Sequence, residues 1–187
     1  MTIFFAAVRR HLLLLVVVLL PTALIIVNRA MALRNAENQD VRDLLSLAAQ
    51  QSASLDYDAD QMQSLLHNDA AWQTHATLLE SVKKHVNQLS RTTAKLQAER
   101  SEASVWQQKG IDRVVPLLRE LAENTTAAIN HLNKNKGRPV SGYYSDYLDE
   151  NAETAHDLNR IISATIEYGH TRDKLERLEE QIQPSTM

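Results

Sequence analysis

Apolar side chains recur every three or four residues along most of the chain after residue 37, a spacing that places them on one face of an α-helix. The clearest example lies between residues 79 and 96. Its key positions alternate steps of three and four residues: Leu79, Val82, Val86, Leu89, Thr93 and Leu96. Such alternation is typical of the buried face of a bundle or coiled-coil helix. The pattern predicts an all-α fold built from long amphipathic helices.

Turn-forming and helix-capping residues divide this pattern into four predicted helices, at about residues 37–55, 59–100, 105–133 and 142–182. Asp56-Tyr57-Asp58 is interpreted as a turn or helix start between the first two helices. Ser104, followed three residues later by Gln107, forms a capping box that predicts the start of the third helix. The loop at residues 133–139 contains Gly and Pro and separates the third helix from the fourth. Pro116 is expected to kink or interrupt the third helix.

Four amphipathic helices with short connections bury their apolar faces most simply as an antiparallel four-helix-bundle-like domain. If the chain reverses near residues 102 and 138, six ring-bearing residues should gather at one end of the bundle: Trp72, His75, His131, Tyr143, Tyr144 and Tyr147. Trp106 and Tyr168 should lie at the other end. These six rings either seal their end of the bundle or form a surface for a partner or ligand, since rings with polar tips suit interfaces. Among them, His75 shares the apolar face of its helix and is expected to be buried with one hydrogen-bond partner.

The N-terminal segment is the most hydrophobic part of the chain. Residues 12–27 are apolar except for Pro21 and Thr22, and Arg9 and Arg10 precede them. As a helix, these residues would extend about 24 Å, which is short for the roughly 30 Å of bilayer hydrocarbon but long for a signal-peptide core. Pro21 interrupts the segment, and the small-x-small pattern that ends at Ala32 fits cleavage by a signal peptidase.

Residues 1–32 are therefore predicted to be a hydrophobic targeting helix that is either a signal peptide cleaved after Ala32 or an uncleaved N-terminal membrane anchor. Arg29, close to the cleavage site, favours the anchor. Under both interpretations residues 33–187 form an extracytoplasmic helical bundle. A cleaved chain would be periplasmic or secreted. An uncleaved chain would be held in the inner membrane by this one transmembrane helix, with its body outside the cytoplasm.

The composition argues against several classes of function. The whole chain has a net charge of −3, and removal of the three arginines of residues 1–32 leaves −6, which argues against nucleic-acid binding. The chain contains no cysteine, which excludes disulfides, thiolate metal sites and cysteine nucleophiles. It also lacks the usual hydrolase motifs and a glycine-rich phosphate loop. We therefore expect neither enzymatic activity nor a cofactor.

The histidine spacings do not indicate a metal site. Two Glu-x-x-His motifs end at His156 and His170. They lie on one predicted helix about 21 Å apart, too far to share a di-metal centre. His85, Glu120 and His156 fall in one layer of the expected bundle, but each flanks the apolar face of its helix. Isolated surface histidines are the simpler interpretation, so no metal ligand is predicted.

The end of the fourth predicted helix carries alternating charges. Residues 172–180 include both signs, and they surround Leu175, Leu178 and Ile182. This pattern is typical of a solvated helix end with ion pairs four residues apart. The apolar spacing also fits a short self-association segment.

A resemblance to uncharacterised exported helical proteins of bacteria rests on two segments, LLRELAENTTAAI at residues 117–129 and YLDENA at residues 147–152. It implies export and brings no assigned activity. The body is also generally similar to the extracytoplasmic sensor domains of bacterial receptors, but those continue through a second membrane span, and this sequence ends at Met187. We expect a non-enzymatic bundle of the bacterial envelope that binds a protein partner or itself. The alternative is a sensor-like bundle that binds a small molecule or a metal.

Overall fold

The computed structural model describes residues 39–182, of which 87% are helical and none lies in a strand. The all-α prediction is therefore confirmed for these residues. Four α-helices pack against each other: α1 (Gln39–Ser64), α2 (Trp72–Ala98), α3 (Val105–Lys134) and α4 (Tyr144–Ile182). A short 3₁₀ turn, Leu65–His67, follows α1. The predicted targeting helix of residues 1–32 lies outside the described residues.

The predicted break between the first two helices, at residues 56–58, is wrong. α1 continues through these residues, and α2 begins at Trp72 and not near residue 59. The reason is that the buried positions of α1 alternate steps of four and three without interruption: Val41, Leu45, Ala48, Ser52, Leu55, Ala59 and Met62. The core therefore holds the segment helical, while Asp56 and Asp58 flank its buried face and are themselves partly buried. The chain leaves the helical conformation only after the 3₁₀ turn, where the backbone of Asn68 is extended.

The limits of the last two helices agree closely with prediction. α3 begins after Ser104, whose backbone N–H donates to Oε1 of Gln107 at 2.9 Å, so the predicted capping box is confirmed. α3 continues through Pro116 without a break. α4 begins two residues later than predicted, because the chain first turns at Gly142, whose φ of 56° is a left-handed conformation that glycine adopts without steric cost.

Each helix contributes one apolar face to a single core. On α2 this face holds Leu79, Val82, Val86, Leu89 and Leu96, all buried as the spacing predicts. The main contacts join α1 to α2, α2 to α3, α3 to α4 and α4 to α1, so the helices form a closed ring in chain order. Burial of four such faces is the largest favourable contribution to folding that a helical protein of this size has.

Side chains that join α1 to α4 pair in opposite chain order. Arg42 donates to Asp173 at 2.9 Å, the Ser52 hydroxyl to Asn159 at 3.3 Å, and Gln63 to Asp149 at 2.7 Å.

The last part of α4 extends past its contact with α1. From Lys174 to Ile182 every residue is exposed, and at 1.5 Å per residue this stretch is about 13 Å long.

In residues 39–182, no helix combines the length and the hydropathy needed to cross a bilayer.

Candidate functional site

Three of the six predicted ring-bearing residues meet in the bundle. Tyr144 of α4 and His75 of α2 are both fully buried, and the Tyr144 hydroxyl lies 3.2 Å from Nδ1 of His75. Their ring centroids are 5.5 Å apart in an edge-on contact. His131 of α3 stacks on Tyr144 with a centroid distance of 5.3 Å. The cluster thus joins α2, α3 and α4, and His75 has the burial and the hydrogen-bond partner that its position predicts.

The other three predicted residues surround this cluster less closely. Trp72 and Tyr147 are half-buried and pack against the core. The Lys136 ammonium lies 4.8 Å from the centre of the Trp72 ring, a cation–π contact that covers the ring from the loop side. Tyr143 is 72% exposed. Its neighbour Tyr144 is buried because successive helix positions point about 100° apart.

Burial controls the protonation of the His75–Tyr144 pair. It lowers the pKa of His75, which keeps the imidazole neutral, and it raises the pKa of the Tyr144 hydroxyl. Nε2 of His75 has no hydrogen-bond partner among residues 39–182. An imidazole beside a hydroxyl resembles a general acid–base pair. Here neither side chain is exposed, so a substrate cannot reach it. The buried His75–Tyr144 pair therefore suits a structural role in the packing of this end of the bundle better than a role in catalysis.

Two carboxylates on α1 form polar contacts halfway along the bundle. Asp58 accepts a hydrogen bond from Ser81 of α2 and lies 2.9 Å from Nδ1 of His85. Asp56 accepts a hydrogen bond from Asn159 of α4 at 2.8 Å and lies 3.7 Å from Nδ1 of His156. These contacts hold α1 to both of its neighbours. Both aspartates belong to residues 56–58, which the sequence pattern predicts as a turn.

No metal centre is assembled by the described part of the chain. Within residues 39–182, no group of three or more histidine and carboxylate side chains is arranged to hold a metal ion. His85 and His156, which share one predicted layer with Glu120, lie against different aspartates on α1.

A groove lies at the opposite end, between α3 and α4. The rings of Trp106 and Tyr168 are in contact there, with centroids 5.6 Å apart and planes tilted by 56°, as expected from their predicted position. The groove has a volume of about 310 Å³. Eight residues line it: Trp106, Lys109, Gly110, Arg113, Ile161, Ala164, Thr165 and Tyr168.

Gly110 brings the two helices together at the base of this groove. A Cβ at residue 110 would lie 2.6 Å from Cγ2 of Thr165, so only glycine permits this approach. Thr165 is held in place by a hydrogen bond from its hydroxyl to the Ile161 carbonyl at 2.8 Å. Sequence reasoning placed the two rings at this end but missed the groove. The only local signal was a glycine inside a helix, which usually has a packing reason.

The chain matches no protein-family model, no curated protein and no solved structure.

Proposed function

We propose that this protein is a non-enzymatic helical bundle of the bacterial envelope, exported by its N-terminal segment, whose molecules pair with each other through the end of α4. The opposite chain order of the α1–α4 pairs supports an antiparallel arrangement of the bundle. The burial of His75 and Tyr144 supports a non-enzymatic role, because this imidazole–hydroxyl pair is out of reach of a substrate.

The observation that carries the proposal is an apolar stripe at the end of α4, which we call the α4 stripe. It consists of Leu175, Leu178 and Ile182, which are 55%, 49% and 80% exposed, respectively. Single exposed apolar residues are ordinary on protein surfaces, whereas residues three and four apart on a helix form a continuous patch. Because this part of α4 extends beyond the contacts of α1, the patch is accessible from several directions.

A second copy of the chain is the occupant that fits the α4 stripe. In heptad terms Leu175 and Ile182 take position a and Leu178 takes position d, which are the buried positions of a coiled coil. Lys174 then takes position g and Glu179 the following position e. In a parallel pair of helices, position g of one copy lies beside that e of the other. Lys174 and Glu179 therefore attract each other across a parallel pair, once on each side.

The expected pairing is weak and depends on concentration. Three apolar side chains from each copy make a contact smaller than the roughly 1,200–2,000 Å² buried in stable complexes. If the N-terminal segment stays in the membrane, it raises the effective concentration of neighbouring copies and strengthens the pairing without any new contact. A parallel pair also suits two chains that are anchored at the same end.

Disulfide cross-linking tests the pairing directly, because the chain contains no cysteine of its own. In the full-length chain, Leu178→Cys should yield a disulfide-linked dimer under mild oxidation, since the two copies of a d position meet in a parallel pair. Glu180→Cys is the matched control, because it lies two residues away at the outward position f. Equal dimer yields from both variants, or none from Leu178→Cys, would rule out the proposed pairing. A product whose mass requires a different protein would contradict self-pairing in the same way.

A charge exchange tests the orientation of the pair. Lys174→Glu should lower the yield of the Leu178→Cys dimer, since it places two acids side by side. Adding Glu179→Lys restores the attraction in a parallel pair, so the double exchange should recover the yield. Failure of the second change to restore cross-linking would contradict the parallel arrangement.

Export is tested by the intact mass of the protein in soluble and membrane fractions of its own cells. Chain 33–187 in the soluble envelope fraction would demonstrate cleavage after Ala32, and the full-length chain in the membrane fraction would demonstrate an anchor. Full-length protein confined to the cytoplasm would disprove export.

A further inference from the structure

We infer that the groove between α3 and α4, at Trp106 and Tyr168, is a binding site for a small aromatic carboxylate. This inference concerns a surface other than the α4 stripe and does not rest on self-association. It gives the alternative function, a bundle that binds a small molecule, a specific place and a ligand class.

The helix geometry sets complementary chemical groups on the two sides of the groove. On α3, Trp106, Gly110 and Arg113 occupy positions i, i+4 and i+7, which lie on one face. On α4, the positions with the same spacing carry Ile161, Thr165 and Tyr168. The close approach at Gly110 makes the base of the groove narrow, and the large side chains stand on either side of it. Apolar side chains and the two rings, contributed by both helices, therefore line the space that a flat ligand would occupy.

The charge of the groove selects an anion. Lys109 and Arg113 line it, and no carboxylate does, although the chain as a whole has a net charge of −3. The two cations are four residues apart on α3 and so lie next to each other. Neither forms an ion pair within 4.0 Å among residues 39–182. Their donors are thus available to a carboxylate, which a guanidinium binds with two parallel hydrogen bonds.

The carboxyl of Asp157 interacts electrostatically with Arg113, but it has another partner. Arg160 donates to it at 2.8 Å. This hydrogen bond is the chief cause that lowers the pKa of the Asp157 carboxyl, and Arg113 contributes less and from a greater distance. The positive charge of the Arg113 guanidinium therefore acts weakly on the Asp157 carboxyl, and the guanidinium remains able to bind a ligand.

The rings and the size of the groove indicate an aromatic ligand of low mass. Trp106 is half-buried and Tyr168 is 54% exposed, so their joint surface can stack with another ring. The volume of about 310 Å³ lies at the lower end of the roughly 300–1,000 Å³ that small-molecule sites occupy. The α3 side, from Trp106 to Arg113, is about 10 Å long at 1.5 Å per residue, which is short for a bound peptide.

Three probes separate the contributions of ring and charge. Benzoate carries both, benzamide has the ring without the charge, and acetate has the charge without the ring. The full-length chain with Trp72→Phe leaves Trp106 as its single tryptophan, since the chain has two. Its fluorescence should then report binding in the groove alone. We expect saturable binding of benzoate, weakened by salt because the cations are exposed, and much weaker binding of benzamide and acetate.

Paired substitutions test the cations. Lys109→Gln with Arg113→Gln should weaken benzoate binding about tenfold, because two exposed ion pairs are lost. The matched control is Arg119→Gln with Lys134→Gln, which removes the same charge from exposed positions of the same helix outside the groove. The control should bind benzoate within about twofold of the parent chain. Circular dichroism of each variant verifies that the helices are retained.

The ring contribution is tested by Tyr168→Ala, which should weaken benzoate binding and leave the response to acetate unchanged. The inference is overturned if the parent chain does not bind benzoate, if acetate binds as tightly as benzoate, or if the Lys109→Gln/Arg113→Gln chain binds benzoate as well as its control. None of these outcomes bears on the cross-linking of α4, so the two proposals can fail separately.

Discussion

The hydroxyl of Tyr144 lies 3.2 Å from Nδ1 of His75, and this buried contact joins α2 to α4 across 69 residues of the chain. Both belong to the six ring-bearing residues that the sequence places at one end of the bundle, and His75 lies on the apolar face of its helix. Because neither is exposed, we expect their hydrogen bond to contribute to stability.

Removal of the Tyr144 hydroxyl should destabilise the bundle. Tyr144→Phe keeps the ring but leaves Nδ1 of His75 buried without its partner, a loss of about 1–2 kcal/mol in the free energy of unfolding. Urea unfolding followed by circular dichroism measures this value. The control is Tyr143→Phe at the exposed neighbouring position, which should change stability by less than about 0.5 kcal/mol. Equal effects of the two variants would contradict the assigned hydrogen bond.

The neutral state of His75 should make the protein less stable in mild acid. Burial lowers the pKa of His75 below its usual 6.5, so between pH 6.5 and the lower pKa of the folded state the unfolded chain binds a proton that the folded chain does not. The contribution of the neutral His75 imidazole to the free energy of unfolding is complete above pH 6.5. It is lost progressively as the pH falls below 6.5, by at most about 1.4 kcal/mol per pH unit.

The matched variant for this pH dependence is His75→Gln, which keeps a polar side chain and cannot titrate. Between pH 7.5 and 5 its unfolding free energy should fall less than that of the parent chain. His131, which also stacks on Tyr144, is present in both chains, so the difference isolates His75. Identical pH profiles would show that His75 is protonated equally in the folded and unfolded states.

A side chain at Gly110 should push α3 and α4 apart. Gly110→Ala places a Cβ 2.6 Å from Cγ2 of Thr165, and overpacking of this kind costs about 1–3 kcal/mol. The loss should appear in chemical denaturation although alanine is the better helix former by about 1 kcal/mol. Adding Thr165→Ala removes the colliding methyl and should restore part of the stability. Gly137→Ala, where an added Cβ meets nothing within 4 Å, is the control and should be nearly neutral.

Asn151 is expected to destabilise the bundle, so replacing it with an apolar residue should raise the free energy of unfolding. It is 2% exposed, and neither atom of its amide has a hydrogen-bond partner among residues 39–182. Asn151→Leu should raise the free energy of unfolding by about 1 kcal/mol, because it removes a buried polar group at little change in volume.

Asn159 on the same helix provides the opposite case for comparison. It accepts a hydrogen bond from Ser52 and donates one to Asp56. Asn159→Leu should therefore destabilise the protein, by about 1–3 kcal/mol, since it removes both hydrogen bonds and leaves Oδ2 of the partly buried Asp56 without this donor. The same sign of change for both variants in thermal unfolding would contradict this account of Asn151.

Much of the fold was predictable because helical periodicity is a local property. The spacing of Leu79, Val82, Val86 and Leu89 predicted a buried face on α2, and the limits of α3 followed from its capping box and from the loop after it. The turn predicted at residues 56–58 is wrong because the helical spacing of apolar residues outweighs the local preference of aspartate for turns. Aspartate is common in turns, but Ala59 and Met62 continue the apolar alternation of α1 through the acidic residues.

The candidate sites were predictable only in part. Bundle register placed His75 near Tyr144 and Trp106 near Tyr168, since both pairs depend on where the chain reverses and not on fine packing. Which end is sealed and which carries a groove depends on single contacts between helices. The Gly110–Thr165 approach is one of them, and neither residue indicates it alone.

The sequence by itself determined that the described chain is helical, which face of α2 is buried, and that cysteine chemistry is absent. Those properties follow from spacing and composition, which act within a few residues. Tertiary structure alone decided that Asp56 and Asp58 lie on a helix bound to Asn159 and Ser81. It likewise decided that Lys109 and Arg113 line a groove with two rings. Contacts between residues far apart in the chain exist only after the helices pack, because packing sets which side chains share a surface.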